Sequence, residues 1–408
     1  MTRKGDHMLP YIVQKGDTVL RIARTYNVNA ASLLSANPGI AADEPLVPGL
    51  LLHVPAQHYF TYRVQSGDTL LRISARFAVT TYALKAANRP LDLKQLQEGQ
   101  LLTIPNTGSS RIVDARAEYG QRELMNNIES LLEAYPFLQS YTIGHSVMGK
   151  PIAALRLGDG PVKVHINAGM HANEWITAPL LMTFIEDVAK AAAAGEKLCG
   201  VEMRTLLRRV SLWAVPLVNP DGAELVQEGL PREHPYYNEL LQWNNGSPRF
   251  HKWKANVRGV DLNDQFPAFW EQEAERRDVP GPGPRDYTGG KPLSEPEAQA
   301  IYALTQEQQF DLVVALHTQG QEIYWNYRGY EPSGAEAIAN KLGKASGYKP
   351  IKLAGSDAGY KDWFILQYRK PGFTVEVGYG VNPLPVGSFP GLYDEVRPLL
   401  IAALEATL

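Results

Sequence analysis

The segment Val162-Lys-Val-His-Ile-Asn-Ala-Gly-Met-His-Ala-Asn-Glu174 joins a short apolar run to a histidine and a glutamate three residues apart. Residues 162–166 predict a buried β-strand, and a helix is expected to begin near Trp175. His171 and Glu174 then stand in the turn between the strand and the helix. A turn at this place can direct both side chains at one metal ion, although His-x-x-Glu alone is a common chance match.

Two later strands carry the rest of a candidate metal site. His317 follows the apolar run 310–316, and Glu376 lies inside Phe373-Thr-Val-Glu-Val-Gly378. Two histidines and one carboxylate are the ligands of a catalytic zinc that keeps one position open for water. The alternation of the last strand turns Glu376 away from Phe373, and a buried carboxylate there needs a partner. Glu376 is therefore expected to take a proton from the bound water, with a structural ion pair as the alternative.

Strands and helices alternate through the larger part of the chain. Apolar strand patterns occur at 162–166, 210–218 and 310–316, and helical patterns at 178–194 and 295–309. This alternation predicts an α/β fold with a mixed, largely parallel sheet and helices on both faces. Sites in such sheets form at the carboxyl ends of the strands, which is where both histidines fall.

Composition limits the class of protein. The chain has 408 residues, of which 44% are hydrophobic and 20% charged, with a formal net charge of −3. The absence of a basic block argues against nucleic acid as a partner, and no apolar run approaches the roughly 20 residues of a membrane span. Cys199 is the single cysteine, which excludes internal disulfides and a zinc site made of four cysteines.

An internal repeat occupies about the first hundred residues. Tyr11-Ile-Val-Gln-Lys-Gly-Asp-Thr-Val-Leu-Arg-Ile-Ala23 matches Tyr62-Arg-Val-Gln-Ser-Gly-Asp-Thr-Leu-Leu-Arg-Ile-Ser74, and the copies end alike at 51–55 and 101–105. Each copy predicts a strand, two helices and a second strand, with Gly-Asp-Thr as a turn and helix-cap signal.

The repeats resemble LysM modules, small βααβ domains that bind glycans containing N-acetylglucosamine, such as peptidoglycan or chitin. The resemblance places the modules at 9–56 and 60–106, followed by a linker at 107–113 and a large domain at 114–408. It implies glycan contacts at two loops of each copy, formed by Gly16, Asp17, Thr18, Asn37 and Pro38, and by Gly67, Asp68, Thr69 and Asn88. The alternative for Asp17 and Asp68 is a role in turn and cap geometry only, with backbone amides forming the groove.

Residues 114–408 resemble the zinc carboxypeptidases of the carboxypeptidase A family. The motifs that carry the resemblance are Val215-Pro-Leu-Val-Asn-Pro-Asp-Gly222, Gly259-Val-Asp-Leu-Asn263, Ser294-Glu-Pro-Glu297 and Leu316-His317. The resemblance implies one Zn²⁺ per chain, held by His171, Glu174 and His317. It implies Glu376 as the general base and Arg258 as the arginine that polarises the scissile carbonyl. A surface arginine is the alternative for Arg258.

One departure from the family pattern points to the substrate. Asp264 stands where the family has the arginine that binds a terminal carboxylate, directly after Asn263. This reversal of charge favours a substrate that presents an ammonium, as meso-diaminopimelate does in peptidoglycan stems. With two LysM copies, the chain resembles γ-D-glutamyl-diamino-acid peptidases. Asn263 and Asp264 are then expected to orient the diamino acid, and Tyr360 is expected to be a substrate-contacting tyrosine of a mobile loop.

Two other hypotheses stay open. The first is a metallocarboxypeptidase that releases basic C-terminal residues, with Asp264 binding their side chains. The second is a glycan-binding protein without catalytic activity. The expected partners are peptidoglycan glycan strands and stem peptides, with no nucleic acid and no membrane, and the oligomeric state is open. The expected location is the cell wall, or release on lysis or sporulation. No signal peptide is apparent, so cytoplasmic synthesis is also compatible.

Overall fold

A computed structural model of the protein describes residues 7–26, 28–41, 45–56, 59–77, 79, 81–88, 91, 93, 96–105 and 111–407. The chain forms two compact units, one of residues 1–118 with 125–136 and one of residues 119–124 with 137–408. Residues 107–110 of the expected linker lie outside the described residues.

The first unit contains two βααβ motifs. Their elements are β1 (His7–Ile12), α1 (Val19–Thr25), α2 (Ala30–Ala36), β2 (Leu51–Ala56), β3 (Tyr59–Arg63), α3 (Leu70–Arg76), α4 (Thr81–Ala87) and β4 (Leu101–Pro105). The strands of each motif pair antiparallel, with Tyr11 opposite Leu52 and Tyr62 opposite Leu102. The predicted βααβ order is therefore present in both copies.

Each motif has its own small apolar core. Ile22, Leu33 and Leu52 are buried together in the first motif, and Ile73 and Leu84 have the corresponding places in the second. A core of this size has little apolar area to offset chain entropy.

The remainder of the chain alternates between strands and helices. Its elements are α5 (Gln121–Ala134), β5 (Gln139–His145), β6 (Pro151–Leu157), β7 (Val162–Asn167), α6 (Thr177–Ala194), β8 (Lys197–Leu198), β9 (Val201–Glu202), α7 (Met203–Arg209), β10 (Val210–Val215), α8 (Pro220–Glu228), α9 (Tyr237–Trp243), α10 (Trp270–Arg277), α11 (Pro296–Gln308), β11 (Leu312–His317), β12 (Glu322–Tyr324), α12 (Ala335–Ser346), β13 (Lys349–Ile351), α13 (Tyr360–Tyr368), β14 (Gly372–Glu376) and α14 (Phe389–Glu405). Short 3₁₀ helices occur at Ala172–Glu174, Leu262–Asp264 and Val386–Ser388. None of the described helices is long and apolar enough to cross a membrane.

An eight-stranded sheet organises the second unit, with the strand order β13-β12-β14-β11-β7-β10-β6-β5. The four central strands β14, β11, β7 and β10 run parallel to one another. Strands β6 and β5 add antiparallel pairs at one side, and β12 pairs antiparallel with β14 at the other. The prediction of a mixed α/β sheet is confirmed. Every residue of β10 and β11 is buried, so both faces of the sheet are covered.

The parallel centre of the sheet brings the candidate residues to one edge. His317 ends β11, Glu376 ends β14, and His171 follows β7 after three intervening residues. Strands β7, β11 and β14 are neighbours, so their carboxyl ends meet at the same edge.

Candidate active site

Three side chains converge beyond the ends of β7 and β11. The Nδ1 atoms of His171 and His317 are 3.0 Å apart, and each lies 3.0 to 3.1 Å from a carboxylate oxygen of Glu174. All three side chains are buried. Their donor atoms lie within 4.8 Å of one another, so together they could hold a metal ion.

The turn that carries His171 and Glu174 is braced by its own backbone and by a threonine. The Thr177 hydroxyl donates to the Glu174 carbonyl oxygen at 2.8 Å and accepts from the Gly169 N–H at 2.9 Å. The Asn219 amide donates to the carbonyls of Met170 and Ala255 at 3.2 Å, which joins this turn to the loop before Asn256. The sequence analysis gave Asn219 only as part of the motif 215–222 and did not predict this bracing role.

Polar groups behind the ligands fix their orientation. His171 Nε2 lies 3.1 Å from Asp261 Oδ1, which leaves Nδ1 to face the cluster. Glu174 Oε2 accepts the Thr318 N–H at 3.1 Å, and Glu174 Oε1 accepts from the Asn382 amide at 3.4 Å. A carboxylate behind a histidine in this way sets the tautomer of a metal ligand and raises its basicity.

Burial and close contact between ionisable side chains shift the pKa values of the three residues in the cluster. Burial lowers the pKa of His171, but the Glu174 and Asp261 carboxylates outweigh burial and raise it to about 9. Burial lowers the pKa of His317, and the neighbouring His171 lowers it further. Burial raises the pKa of Glu174, but the two imidazoles outweigh burial and hold that pKa below its ordinary value.

The donor set fits a divalent zinc ion. Two imidazole nitrogens 3.0 Å apart, next to a carboxylate, would place lone pairs against each other unless a proton or a cation lies between them. Two nitrogens and one carboxylate are ligands of intermediate softness, which suit Zn²⁺ better than the hard cations Mg²⁺ or Ca²⁺. The hydrogen bond from His171 to Asp261 adds the support that metal-binding histidines require.

Glu376 stands beside this cluster through strand pairing. It is directly opposite His317 in β11 and opposite Glu322 in β12. Burial raises the pKa of Glu376 to about 8, with help from the Glu174 carboxylate and against the opposing charges of His171 and Lys254. A cation on the three ligands would favour the ionised form, because it adds positive charge nearby. A carboxyl group in this setting can take up and return a proton near neutral pH.

Family models match both parts of the chain. The model described as zinc carboxypeptidase matches residues 124–376, and the LysM domain model matches residues 11–55 and 62–105. The chain belongs to the zinc carboxypeptidase family. It also carries two LysM domains, so both resemblances drawn from the sequence are confirmed. Membership in the zinc carboxypeptidase family implies zinc as the metal of the cluster.

Individual relatives agree with this membership. The chain is 46% identical over 294 residues to gamma-D-glutamyl-L-diamino acid endopeptidase 1 of Lysinibacillus sphaericus, covering 72% of this chain and 74% of that protein. It is 36% identical over 370 residues to the uncharacterised protein YqgT of Bacillus subtilis, covering 85% of this chain and 98% of that one. The bovine thrombin-activatable fibrinolysis inhibitor, in complex with tick carboxypeptidase inhibitor, has a TM-score of 0.56 at 19% identity, covering 72% of this chain and 98% of that one. This last likeness shows the fold alone.

A lysine that the sequence did not single out lies next to the ligand cluster, where its charge acts on His171. Lys254 Nζ lies 2.7 Å from Asp261 Oδ2, and the Lys254 carbonyl accepts the Ala172 N–H at 2.9 Å. Burial lowers the pKa of Lys254, but the Asp261 and Asp264 carboxylates outweigh burial and raise it to about 12. Lys254 follows His251 and Lys252 in a polar loop, so no sequence signal separates it from a solvated surface lysine.

Arg258 is not brought to the cluster. Its guanidinium approaches Glu295 at 3.6 Å and the Tyr236 hydroxyl at 3.5 Å, and its side chain is 43% exposed. These contacts direct the charge of Arg258 at Glu295, and they do not support the expectation that Arg258 polarises the substrate carbonyl. The surface-arginine alternative describes its environment better.

Asp264 lies close to the site, but not as an open carboxylate. The side chain is almost fully buried, and its Oδ2 lies 2.9 Å from an Nη atom of Arg277. Burial and the neighbouring Asp261 carboxylate raise the pKa of Asp264 to about 7. The carboxylate expected to reverse the charge of this subsite is thus paired with an arginine, and its part in orienting the diamino acid stays a prediction. Asn263, beside it, accepts the Tyr360 N–H at 3.3 Å and remains half-buried.

Tyr360 has no exposed surface with which to touch a substrate. It begins α13, its hydroxyl lies 2.9 Å from that of Thr305, and its ring packs against His165 and Phe266. The prediction of a mobile-loop tyrosine at this position is wrong. The helix begins earlier than the predicted loop allowed, and its first side chain enters the core.

In the first LysM domain, the predicted glycan residues Asp17 and Thr18 hold the turn before α1. Buried Asp17 accepts from the Tyr11 hydroxyl at 2.5 Å and from the Gln14 N–H at 2.7 Å. The Thr18 hydroxyl accepts the Arg21 N–H at 3.1 Å and so caps the helix. These contacts favour the turn-and-cap alternative for Asp17.

The second LysM domain repeats the arrangement. Asp68 accepts from the Tyr62 hydroxyl at 2.6 Å and from the Gln65 N–H at 2.8 Å. The Thr69 hydroxyl accepts the Arg72 N–H at 3.1 Å. The same turn chemistry therefore accounts for the Gly-Asp-Thr signal in both copies.

The two predicted asparagines join a helix end to a strand. Asn37 exchanges two hydrogen bonds of 2.7 Å with the backbone of His53, and Asn88 does the same with Thr103. Both asparagines are buried. An amide used in this way has little capacity left for a sugar, and these contacts favour a structural role.

The remaining predicted glycan residues lie at the surface. Pro38 and Gly67 are exposed and Gly16 is partly exposed. Gly16 and Gly67 have φ values of 79° and 80°, which L side chains rarely adopt. Their part in glycan binding stays a prediction.

Proposed function

We propose that this protein is a peptidoglycan-directed zinc peptidase that hydrolyses the bond between the γ-carboxyl of D-glutamate and the diamino acid of muropeptide stems, with meso-diaminopimelate as the diamino acid. The observation that carries the proposal is the convergence of His171, Glu174 and His317 beside Glu376. The name of the relative from Lysinibacillus sphaericus supports the choice of bond.

One Zn²⁺ per chain, held by the three ligands, would supply Lewis acidity that activates a water molecule and polarises the scissile carbonyl. Glu376 accepts the proton of the attacking water and returns it to the nitrogen of the leaving amine. Asp261 holds His171 so that its Nδ1 faces Glu174 and His317, where it would be available to the metal. Asn382 and the Thr318 N–H restrain the Glu174 carboxylate.

Lys254 takes the role first expected of Arg258. Its ammonium stabilises the negative charge that develops on the carbonyl oxygen when water attacks. Support comes from the contact of Lys254 with Asp261 and from its influence on the pKa of Glu376. Asp261 keeps the ammonium charged and directs it, and the rest of the loop is fixed by the backbone bond to Ala172.

The LysM domains hold the enzyme on its polymer. We assign them to residues 9–56 and 60–106, the linker to 107–113 and the peptidase domain to 114–408. Glycan strands bind the exposed turns near Gly16, Pro38 and Gly67, mostly through backbone groups, and stem peptides bind the peptidase domain. The protein then works in the cell wall, or reaches it on lysis or sporulation. Tethering raises the effective concentration of stems at the zinc site.

Product analysis tests the choice of bond. Incubation with L-Ala-γ-D-Glu-meso-diaminopimelate should give L-Ala-D-Glu and free diaminopimelate by mass spectrometry, whereas α-linked peptides with C-terminal lysine should stay intact. Glu376→Gln should keep one equivalent of zinc and lose turnover by about 10⁴-fold or more, because the proton acceptor is gone. Cleavage of the α-linked set alone would replace the proposal with the metallocarboxypeptidase hypothesis. Zinc far below one equivalent in the intact protein would favour the non-catalytic one.

A further inference from the structure

Helix α10 places the guanidinium of Arg277 against the carboxylate of Asp264. Arg277, the last residue of α10, pairs with Glu273 through Nε at 2.8 Å and with Asp286 through Nη1 at 3.1 Å. Its Nη2 lies 2.9 Å from Asp264 Oδ2. Three carboxylates thus surround one arginine, and its side chain remains 25% exposed.

Arg277 is connected to the zinc ligands by an unbroken series of charged contacts. Asp286 Oδ1 lies 3.1 Å from Arg277 Nη1 and 3.9 Å from Lys254 Nζ. Lys254 Nζ in turn lies 2.7 Å from Asp261, which contacts His171 at 3.1 Å. Arg277 therefore stands at the margin of the same site, on the side of Lys254 and Asp264.

The hydrogen-bond capacity of Arg277 is not exhausted by its carboxylates. A guanidinium has five N–H groups. In the described contacts, each of the three nitrogens of Arg277 donates one hydrogen bond, so three N–H groups are used. The remaining two belong to the Nη atoms, which form the fork that binds carboxylates in pairs of parallel bonds. Because the surrounding carboxylates already fix its rotamer, little conformational entropy would be lost when an anion binds.

Charge balance separates this part of the site from an ammonium site. Asp264 pairs with Arg277 and Asp261 with Lys254, while Glu273 and Asp286 have further partners in Arg276 and Arg285, so a substrate ammonium would meet paired carboxylates. An anionic group would meet two cations whose partners hold them in place. The environment therefore suits a carboxylate better than the ammonium expected from Asp264 alone.

We propose that Arg277 binds a free carboxylate of the diamino acid on the leaving side of the scissile bond, and that Asp264 is the positioning residue that directs its guanidinium. The inference rests on the proposed function. Two carboxylates of meso-diaminopimelate have the required chemistry, the one beside the cleaved amide and the one at the far end of the side chain. A purely structural Arg277, which only ties α10 to the loop at Asp264, is the alternative.

Amide derivatives of the substrate test the inference. The full-length enzyme is assayed on L-Ala-γ-D-Glu-meso-diaminopimelate, on each of its two monoamides, and on the analogue with L-lysine in place of the diamino acid. We expect wild type to lose roughly 30-fold in kcat/KM on one monoamide, mostly through KM, since a hydrogen bond to a charged group is broken. The monoamide with the lower kcat/KM shows which of the two carboxylates Arg277 binds. Loss on the far-end monoamide should be matched by an equal loss on the lysine analogue.

Variants assign the effect to the residue. Arg277→Gln should lower kcat/KM on the diacid by roughly 30-fold and abolish the preference of the enzyme for diacid over monoamide. Asp264→Asn should raise KM with kcat nearly unchanged and keep part of the preference. Arg276→Gln is the matched control, because Arg276 also pairs with Glu273 but has no described contact with Asp264. It should behave like wild type.

The outcomes separate this inference from the proposed function. A wild type that cuts no γ-linked peptide defeats the proposed function, whereas an Arg277→Gln enzyme that still cuts and still prefers the diacid overturns the role of Arg277. Calorimetric titration with free meso-diaminopimelate needs no turnover. Binding should weaken in Arg277→Gln and not in Arg276→Gln, and equal affinities in both zinc-loaded variants would also overturn the role.

Discussion

At the residue scale, the charge of Lys254 is set by the groups around it. Its side chain is 15% exposed, and its ammonium pairs with Asp261, the same carboxylate that orients His171. One aspartate thus couples a metal ligand to the cation proposed for the developing oxyanion. A preorganised cation in a poorly hydrated site stabilises such charge far more than it would in water.

Substitution of Lys254 and Arg258 distinguishes the two candidate cations. Lys254→Gln should lower kcat by about 100-fold, because an oxyanion donor is removed, and Lys254→Arg should recover part of the loss. Arg258→Gln should change kcat by less than about 3-fold, because its partners are Glu295 and Tyr236. Steady-state kinetics with zinc content measured in each variant check this. If Arg258→Gln lost most of its kcat while Lys254→Gln stayed active, the role of polarising the carbonyl would return to Arg258.

What could be foreseen for single residues depended on their place in regular structure. His171, His317 and Glu376 were found because each stands at or next to the end of a strand with a clear apolar pattern. Lys254 and Arg277 come from loops and a short polar helix, whose approach to the sheet is decided by tertiary packing. Asp264 was placed near the site, but its partner thirteen residues later was invisible to sequence spacing.

At the scale of elements, β7 carries a fully buried histidine that has no part in metal binding. His165 Nδ1 lies 3.1 Å from the Trp213 carbonyl oxygen, and the ring stacks on Phe310 at 4.8 Å. Burial lowers the pKa of His165 to about 3, so the folded domain holds this ring neutral. The unfolded chain, with an ordinary histidine pKa, binds an additional proton in mildly acidic solution.

The pH dependence of stability should reveal this histidine. Because its pKa is lower in the folded state, stability contributed by neutral His165 is complete above about pH 6.5 and is lost as the pH falls toward 3. Wild type should lose about 2 kcal/mol more than His165→Gln between pH 6.5 and 5. Urea unfolding followed by tryptophan fluorescence measures it, since all seven tryptophans lie between residues 175 and 363.

Exposed His251 provides the control for that measurement. His251→Gln should follow the wild-type pH dependence of stability, because its side chain lies at the surface and not in the core. Parallel curves for wild type and His165→Gln would contradict a neutral, buried His165.

Helices were predicted correctly where the hydrophobic residues recur at clear helical spacing. The helix expected at 178–194 is Thr177–Ala194, and the one expected at 295–309 is Pro296–Gln308. The antiparallel partner β12 was not foreseen, because three residues are too few to show alternation. The α13 start at Tyr360 was also missed, since the preceding Gly-Ser-Asp-Ala-Gly stretch has the composition of a loop.

At the scale of the whole molecule, a glycan-binding unit and a peptidase unit share one chain. Each unit has its own core, so the sequence repeat and the change in hydrophobic pattern sufficed to tell them apart. How the two cooperate on an insoluble polymer depends on binding at both.

Competition with soluble sugar should separate the two activities. Saturating N-acetylglucosamine oligomers should lower the rate of stem cleavage on insoluble peptidoglycan by about 10-fold or more, because tethering is lost. Cleavage of the soluble tripeptide should not change, since it needs no LysM contact. Release of diaminopimelate from both substrates provides the measurement. Equal inhibition on both would mean that the oligomers act at the zinc site.

The pairing of His317 with Glu376 has a consequence for how this architecture can vary. Their spacing is fixed by two neighbouring backbones in register and not by the chain that connects them. Loops and helices between β11 and β14 can therefore lengthen, shorten or be exchanged without disturbing the position of Glu376 beside His317. A single-residue insertion within β14 would instead turn the carboxylate to the opposite face of the sheet. Diversity of substrates can thus accumulate in the intervening segment while the hydrolytic centre stays intact.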